Sequence, residues 1–143
     1  MKIGITFGAF DLLHAGHIMM LEEAKRQCDQ LIVGLHLNPK LSDATRNKPV
    51  QSIVERYIQL EGCSFVDEII VYETEEDVLD LLQALPIAVR ILGEEYRDVD
   101  FTGKQFCLTT GISLHYNNRS HRFSTSSLGL VVANRESEKQ KIA

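Results

Sequence analysis

A regular alternation of short apolar runs with segments of helical periodicity is the feature that most constrains the fold of this chain. Five apolar runs predict buried strands, at residues 2–7, 31–37, 66–72, 88–92 and 112–116. Apolar residues at helical spacing predict helices at 16–28, 50–63 and 75–85, with one more after residue 126. Strands and helices that alternate over short connections form right-handed crossovers around a parallel sheet. The pattern predicts a Rossmann-like, three-layer α/β/α domain with a five-stranded parallel sheet.

The bulk properties fit one globular domain. The chain has 143 residues, of which 44% are hydrophobic, and no internal repeat. We assign residues 1–134 to a single domain and 135–143 to a polar C-terminal tail. The formal charge of -5 disfavours nucleic acid as a partner. No apolar leader or membrane-length run is present, which favours a cytoplasmic protein without a membrane partner.

The connection between the first strand and the first helix is a candidate phosphate-binding segment. It runs from Gly8 through Phe-Asp-Leu-Leu to His14, Gly16 and His17. Glycines allow close approach of the backbone to a ligand, and free N–H groups at a helix N-terminus attract anions. Two histidines three residues apart can direct both rings towards one phosphate. The segment matches neither the dinucleotide pattern G-x-G-x-x-G nor the P-loop.

These residues carry a resemblance to a known family. The run from His14 to His17 resembles the H-x-G-H motif of cytidylyltransferase-like nucleotidyltransferases, and the preceding G-x-F-D-L-L-H is similar to that of short glycerol-3-phosphate cytidylyltransferases. The segment 119–126 resembles the family's serine/threonine-rich signature in its S-T core, although its flanks differ. Ala15 gives the form H-A-G-H, which also occurs among heptose-phosphate adenylyltransferases.

The resemblance implies roles for individual residues. The implied catalytic groups are His14, His17, Lys48 and Arg119. The implied nucleotide-binding residues are Phe7, Gly8, Phe10, Gly16, Gly93, Ser124, Thr125 and Ser126. Asp11 and Arg56 are the implied contacts to the acceptor, and Asp11 is also the candidate ligand of Mg²⁺, the cation expected with a nucleoside triphosphate.

Structural roles compete with several of these assignments. The residues from Ser124 to Ser126 are also suited to cap a helix, and Asp11 to cap a turn. Lys48, with Arg46, fits a solvated loop within the predicted loop 38–49. Arg56 can equally pair with a helical carboxylate one turn away.

The resulting functional prediction is transfer of a nucleoside monophosphate to a small phosphorylated acceptor, with release of pyrophosphate. The leading form transfers CMP from CTP to an alcohol phosphate such as glycerol-3-phosphate. The alternative is an adenylyltransferase that uses ATP and acts on a sugar phosphate of the heptose type or on flavin mononucleotide. A non-catalytic nucleotide-binding regulatory module is the alternative of another class. The resemblance also implies a homodimer.

Overall fold

The computed structural model describes residues 1–42, 45–118 and 135–137. Its strands are β1 (Ile3–Gly8), β2 (Gln30–His36), β3 (Glu68–Tyr72), β4 (Val89–Gly93) and β5 (Ser113–Asn117). They form one sheet in the order β3-β2-β1-β4-β5, and every neighbouring pair is parallel. The predicted five-stranded parallel sheet is confirmed, with each strand boundary within two residues of its predicted position.

The helices are α1 (Ala15–Arg26), α2 (Pro39–Ser42), α3 (Ile53–Glu61), α4 (Glu75–Ala84) and α5 (Lys104–Thr110). The three predicted helices up to residue 85 are confirmed as α1, α3 and α4. The predicted helix after residue 126 lies outside the described residues. No helix in the described ranges is both long and apolar enough to cross a membrane.

Two short helices were not predicted. α2 does carry a start signal, because the Oδ1 of Asn38 accepts from the N–H of Lys40 and Pro39 follows the cap, whereas α5 lacks one. α2 is a single turn inside the predicted loop 38–49. α5 begins after Gly103 and ends at Gly111, both with left-handed φ angles, of 84° and 82°. Neither end has a side-chain cap of the kind that marks a helix start in the sequence. Glycine supplies these angles without steric cost.

Helices cover both faces of the sheet and bury two separate cores. On one face, Leu21 of α1 and Leu60 of α3 pack against Val33 and other residues of the sheet. On the other face, Leu82 of α4 and Cys107 of α5 pack in a second core. Side chains of β2 alternate between the cores, with Val33 in the first and Ile32 in the second, which is the three-layer α/β/α arrangement predicted from the sequence.

The strand order places a reversal next to β1. The chain proceeds from β1 outwards through β2 to β3, then returns to add β4 on the other side of β1. At such a switch point, the connections that leave adjacent strands diverge to opposite faces and open a crevice at the carboxyl edge. The fold therefore directs attention to the residues that follow β1 and β4.

Candidate active site

The carboxyl ends of all five strands open onto one cavity of about 550 Å³. The last residue of each strand lines it: Gly8, His36, Tyr72, Gly93 and Asn117. This is the edge at which parallel sheets bind their ligands. Six of the predicted site residues also line the cavity: Phe7, Gly8, Phe10, Asp11, His17 and Gly93.

His14 and His17 form an unusual cap at the start of α1. His14 is the N-cap, with extended backbone, and its Nδ1 accepts a hydrogen bond from the backbone N–H of Gly16 at 3.0 Å. His17 returns the contact, because its Nδ1 accepts from the backbone N–H of His14 at 3.2 Å. Two imidazoles thus form the reciprocal capping box that is usually built from Ser or Thr and Glu. Their ring centroids lie 4.1 Å apart.

The capping contacts decide which nitrogen of each ring can donate. A neutral imidazole whose Nδ1 accepts a hydrogen bond carries its proton on Nε2. His14 and His17 therefore each have an Nε2–H donor, and both rings stand at the positive end of a helix. His17 lines the cavity. The pair is suited to donate hydrogen bonds to phosphate oxygens.

Strained backbone shapes the loop that precedes these histidines. Phe10 and Leu12 have positive φ angles of 49° and 50°, a backbone conformation that residues other than glycine rarely adopt. Asp11 anchors the loop, because its two carboxylate oxygens accept the backbone N–H groups of Val50 at 2.8 Å and Gln51 at 2.9 Å. The side chain of Gln51 in turn accepts from the N–H of Leu12 at 2.8 Å. Strain of this kind is kept where the surroundings enforce it, commonly at functional sites.

The anchoring role of Asp11 was not predicted, and it bears on the predicted metal site. Both carboxylate oxygens already accept backbone N–H groups, and no cluster of three or more His, Cys, Asp or Glu side chains suited to a metal occurs in the part of the chain that the structure describes. Each carboxylate oxygen keeps a further lone pair, so the contact of Asp11 with Mg²⁺ stays a prediction. Contact of Asp11 with the acceptor stays a prediction.

Arg56 requires a correction. Its side chain is only 2% exposed, and it does not line the cavity. Its guanidinium donates to four backbone carbonyl oxygens, those of residues 9, 36, 37 and 51, at 2.6–3.2 Å. Burial lowers the pKa of Arg56 from its ordinary value. Arg56 thus ties the loop after β1 to the end of β2, in place of the predicted contact with the acceptor's phosphate.

The remaining predicted residues are two glycines, one exposed lysine and four residues outside the described ranges. Gly16 is buried in the first turn of α1, and Gly93 precedes a short 3-10 turn, Glu94–Tyr96. Lys48 is exposed and does not line the cavity, whereas its neighbour Arg46 does. Four predicted residues lie outside the described ranges: Arg119, Ser124, Thr125 and Ser126.

Sequence reasoning missed three buried polar residues that line the cavity: His36, Arg90 and Asn117. Arg90, on β4, is 6% exposed and was counted within the apolar run 88–92, where a charged residue in a buried strand was the available signal. His36, at the end of β2, is also 6% exposed and had no recognisable motif around it. Burial lowers the pKa of His36 from 6.5, so its ring is neutral at pH 7.

Comparison with protein families decides the class of this site. Residues 5–122 match the family described as Cytidylyltransferase-like. The chain belongs to this family. The match includes the histidine pair, most of β1 and the other four strands, so the predicted family and the prediction of a nucleotidyltransferase are confirmed.

Curated relatives of this cytidylyltransferase-like chain include several bifunctional proteins HldE. The chain is 42% identical over 98 residues to that of Acidiphilium cryptum, which covers 66% of the chain and 20% of the relative. It is 38% identical over 114 residues to the HldE protein of Caulobacter vibrioides, and the aligned region covers 78% of this chain and 23% of the relative. For one from Helicobacter pylori the identity is 34%, over 89% of the chain and 27% of the relative. The chain thus spans about a quarter of the length of these relatives.

Solved structures agree on the fold. A lipopolysaccharide core biosynthesis protein from Thermoplasma volcanium superposes with a TM-score of 0.64 at 24% identity, over 81% of this chain and 93% of that one. A pantoate-beta-alanine ligase from Francisella tularensis gives a TM-score of 0.56 at 22% identity, over 87% and 61%. At these identities the likeness supports the Rossmann-like fold alone.

Proposed function

We propose that this nucleotidyltransferase transfers AMP from ATP to a sugar phosphate of the heptose type and releases pyrophosphate. The observation that carries the proposal is the similarity to HldE proteins, which contain a heptose-phosphate adenylyltransferase domain. This similarity favours the adenylyltransferase alternative over the leading prediction of CMP transfer to glycerol-3-phosphate. The motif His14-Ala15-Gly16-His17 is in the form shared with the heptose-phosphate enzymes.

The proposed reaction is a single displacement. An oxygen of the acceptor's phosphate attacks the α-phosphorus of ATP and forms a new phosphorus–oxygen bond. The bond from the α-phosphorus to its bridging oxygen breaks, and the electron pair leaves with pyrophosphate. No side chain forms a bond to phosphorus, so the protein contributes positioning and charge stabilisation.

The geometry of the histidine pair suits this reaction. The Nδ1 atoms of His14 and His17 are engaged by the helix start, so their Nε2–H groups are held in a fixed direction before ATP binds. These donors would stabilise the negative charge that develops on the oxygens of the α-phosphate. Prearranged donors act more strongly than donors that must reorganise during the reaction.

Other parts of the proposal extend the sequence predictions. Lys48, Arg119 and the residues from Ser124 to Ser126 are proposed to hold the β- and γ-phosphates. Mg²⁺ is proposed to arrive with the triphosphate, since phosphate oxygens are its usual partners. The nucleobase is proposed to lie near Gly93 and Asn117, which are paired in the register of β4 and β5. Homodimerisation stays a prediction.

Release of pyrophosphate tests the proposal directly. ATP and CTP are each offered with heptose 1-phosphate, glycerol-3-phosphate and flavin mononucleotide. We expect release with ATP and heptose 1-phosphate. Release only with CTP and glycerol-3-phosphate would return the enzyme to the leading sequence prediction. ATP binding without release for any acceptor would support the non-catalytic module.

Two substitutions of His17 separate chemistry from helix capping. His17→Asn places an amide oxygen near the position of Nδ1, which preserves the contact to the N–H of His14, but it removes Nε2. We expect kcat to fall by about 10²–10³-fold, the effect of losing one prearranged donor, with little loss of stability. His17→Gln places an amide N–H near the position of Nε2 and should retain more activity. Equal losses in both variants would contradict the assigned role of Nε2.

A further inference from the structure

Three buried polar side-chain atoms lack a hydrogen-bond partner among the described residues: Nδ1 of His36, Nε of Arg90 and Oδ1 of Asn117. The three residues are only 6%, 6% and 4% exposed. All three line the same cavity. Buried polar groups are nearly always satisfied, and unsatisfied ones are costly. Their convergence on one cavity indicates that a ligand satisfies them.

Two of these residues belong to one chain of contacting rings. The ring of His36 lies 4.6 Å from that of Tyr72, which contacts the ring of Phe7 at 5.5 Å. The guanidinium of Arg90 lies between Phe7, at 5.1 Å, and Phe101, at 4.9 Å. All five residues line the cavity. We call the part of the cavity that these five residues line the Arg90 chamber.

The Arg90 chamber lies on the face of the sheet opposite the histidine pair. Tyr72 belongs to the core beneath α4 and α5, and Phe7 packs against that core. Phe10, which lies beside His17, belongs instead to the core beneath α1 and α3. The cavity therefore extends over the edge of the sheet and is lined by residues from both faces.

Arg90 has no salt-bridge partner within the described structure, although the nearby Glu75 carboxylate favours its charged form. Its Nη1 donates to the backbone carbonyl of Thr102. Arginine keeps its charge even when buried, and a buried charge without a counterion is strongly unfavourable. The rings of Phe7 and Phe101 pack against the guanidinium of Arg90. A ligand would therefore contact the guanidinium through its N–H groups. These groups match the oxygens of a phosphate.

We propose that Arg90 binds the phosphate group of the acceptor and so positions the attacking oxygen. This inference rests on the proposed function, because it assigns the Arg90 chamber to the acceptor and the histidine face to the nucleotide. Glu75, which also lines the cavity, is suited to accept hydrogen bonds from hydroxyl groups, as on a sugar.

Substitution of Arg90 tests this assignment. Arg90→Met keeps an apolar side chain between the two rings and removes the charge. We expect the KM for heptose 1-phosphate to rise about 10- to 100-fold, as expected for a lost charged hydrogen bond. The Kd for ATP should stay within about twofold, since the nucleotide binds on the other face. Arg90→Lys restores charge without the planar N–H edge and should be intermediate.

Lys104→Met is the matched control. Lys104 also lies over the ring of Phe101, at 5.5 Å, but it does not line the cavity. Its substitution should leave the KM for the acceptor unchanged. Circular dichroism checks that each variant is folded, and Arg90→Lys decides the question if Arg90→Met does not fold.

Equilibrium binding separates this inference from the proposed function. Inorganic phosphate is titrated into wild type and the Arg90 variants in the presence of a saturating non-hydrolysable ATP analogue, so no turnover is needed. Weaker phosphate binding in the variants supports the inference even if wild type releases no pyrophosphate, an outcome that would defeat only the proposed function. Unchanged phosphate affinity would overturn it and leave Arg90 a structural residue. An equal loss of ATP affinity would also overturn it, because Arg90 would then serve the nucleotide.

Discussion

At the residue scale, several side chains that the sequence predicted to bind substrate make hydrogen bonds to the protein backbone. His14 and His17 each use one nitrogen to cap a helix, and this contact orients the other nitrogen. Asp11 and Arg56 are both used to hold loops, through carbonyl and N–H groups far away in the chain. The sequence predicted several residues that line the cavity, but the kind of partner for each polar side chain depends on which backbone groups lie beside it.

Arg56 allows a direct test of its corrected role. Arg56→Met leaves four backbone carbonyls without their donors, and we expect the free energy of unfolding to fall by roughly 3–5 kcal/mol. Urea denaturation measures this loss. The control is Arg26→Met, because the side chain of Arg26 is 66% exposed and lies 3.9 Å from Glu22; its effect should stay below about 0.5 kcal/mol. Unchanged stability with a raised acceptor KM would restore the original prediction for Arg56.

At the element scale, caps explain why α3 and α4 could be predicted from the sequence and α5 could not. α3 begins with the reciprocal pair Ser52 and Glu55, and α4 with Thr74 and Asp77, both recognisable in the sequence. α5 begins after a glycine and has only seven residues, so neither a cap nor a full apolar stripe marks it. Packing of Cys107 into the core, rather than local preference, stabilises α5.

The contact of α1 with the start of β2 and β3 predicts a dependence of stability on pH. The carboxylate of Asp67 accepts from Lys25 at 2.5 Å and from the N–H of Leu31 at 2.7 Å. Burial opposes ionisation, but these hydrogen bonds outweigh it and lower the pKa of Asp67 below 3.8. The carboxylate therefore stabilises the fold fully above that value, and the contribution is lost as the pH falls through the lowered pKa.

Substitution of Asp67 checks the sign of this effect. Wild type should be more stable than Asp67→Asn at pH 7, and the difference should shrink as the pH falls below 3.8. Urea denaturation at several pH values measures it. Glu22→Gln is the control, because Glu22 is 52% exposed and its ion pair with Arg26 is long, at 3.9 Å. A difference that grows on acidification would show that the hydrogen bonds do not favour the charged form.

At the scale of the whole molecule, ligand binding and stability should be coupled. The cavity joins both faces of the sheet and holds three unsatisfied buried polar atoms, so an occupant should stabilise the native state. A non-hydrolysable ATP analogue at 100 times its Kd should add about 2.7 kcal/mol, or roughly 5–10 °C in Tm.

Adenosine is the control ligand for this measurement. It offers the base and the ribose without phosphates, and at the same concentration it should raise Tm far less than the ATP analogue does. Thermal unfolding followed by circular dichroism compares the two ligands. Equal shifts would mean that the histidine pair and its helix terminus do not hold phosphate, contrary to the proposed nucleotide site.

The sequence by itself determined the alternation of strands and helices, the parallel sheet and the position of the histidine pair. Each of these depends on residues close together in the chain, through apolar periodicity or a cap spanning three residues. Only the tertiary structure decided that Arg56 is buried and donates to a backbone carbonyl 47 residues away, and that Arg90 lines a cavity. The hydrogen-bond partners of these polar side chains come from segments that are distant in the sequence. Local sequence preferences do not determine which distant segments lie beside one another, so the partners could not be predicted.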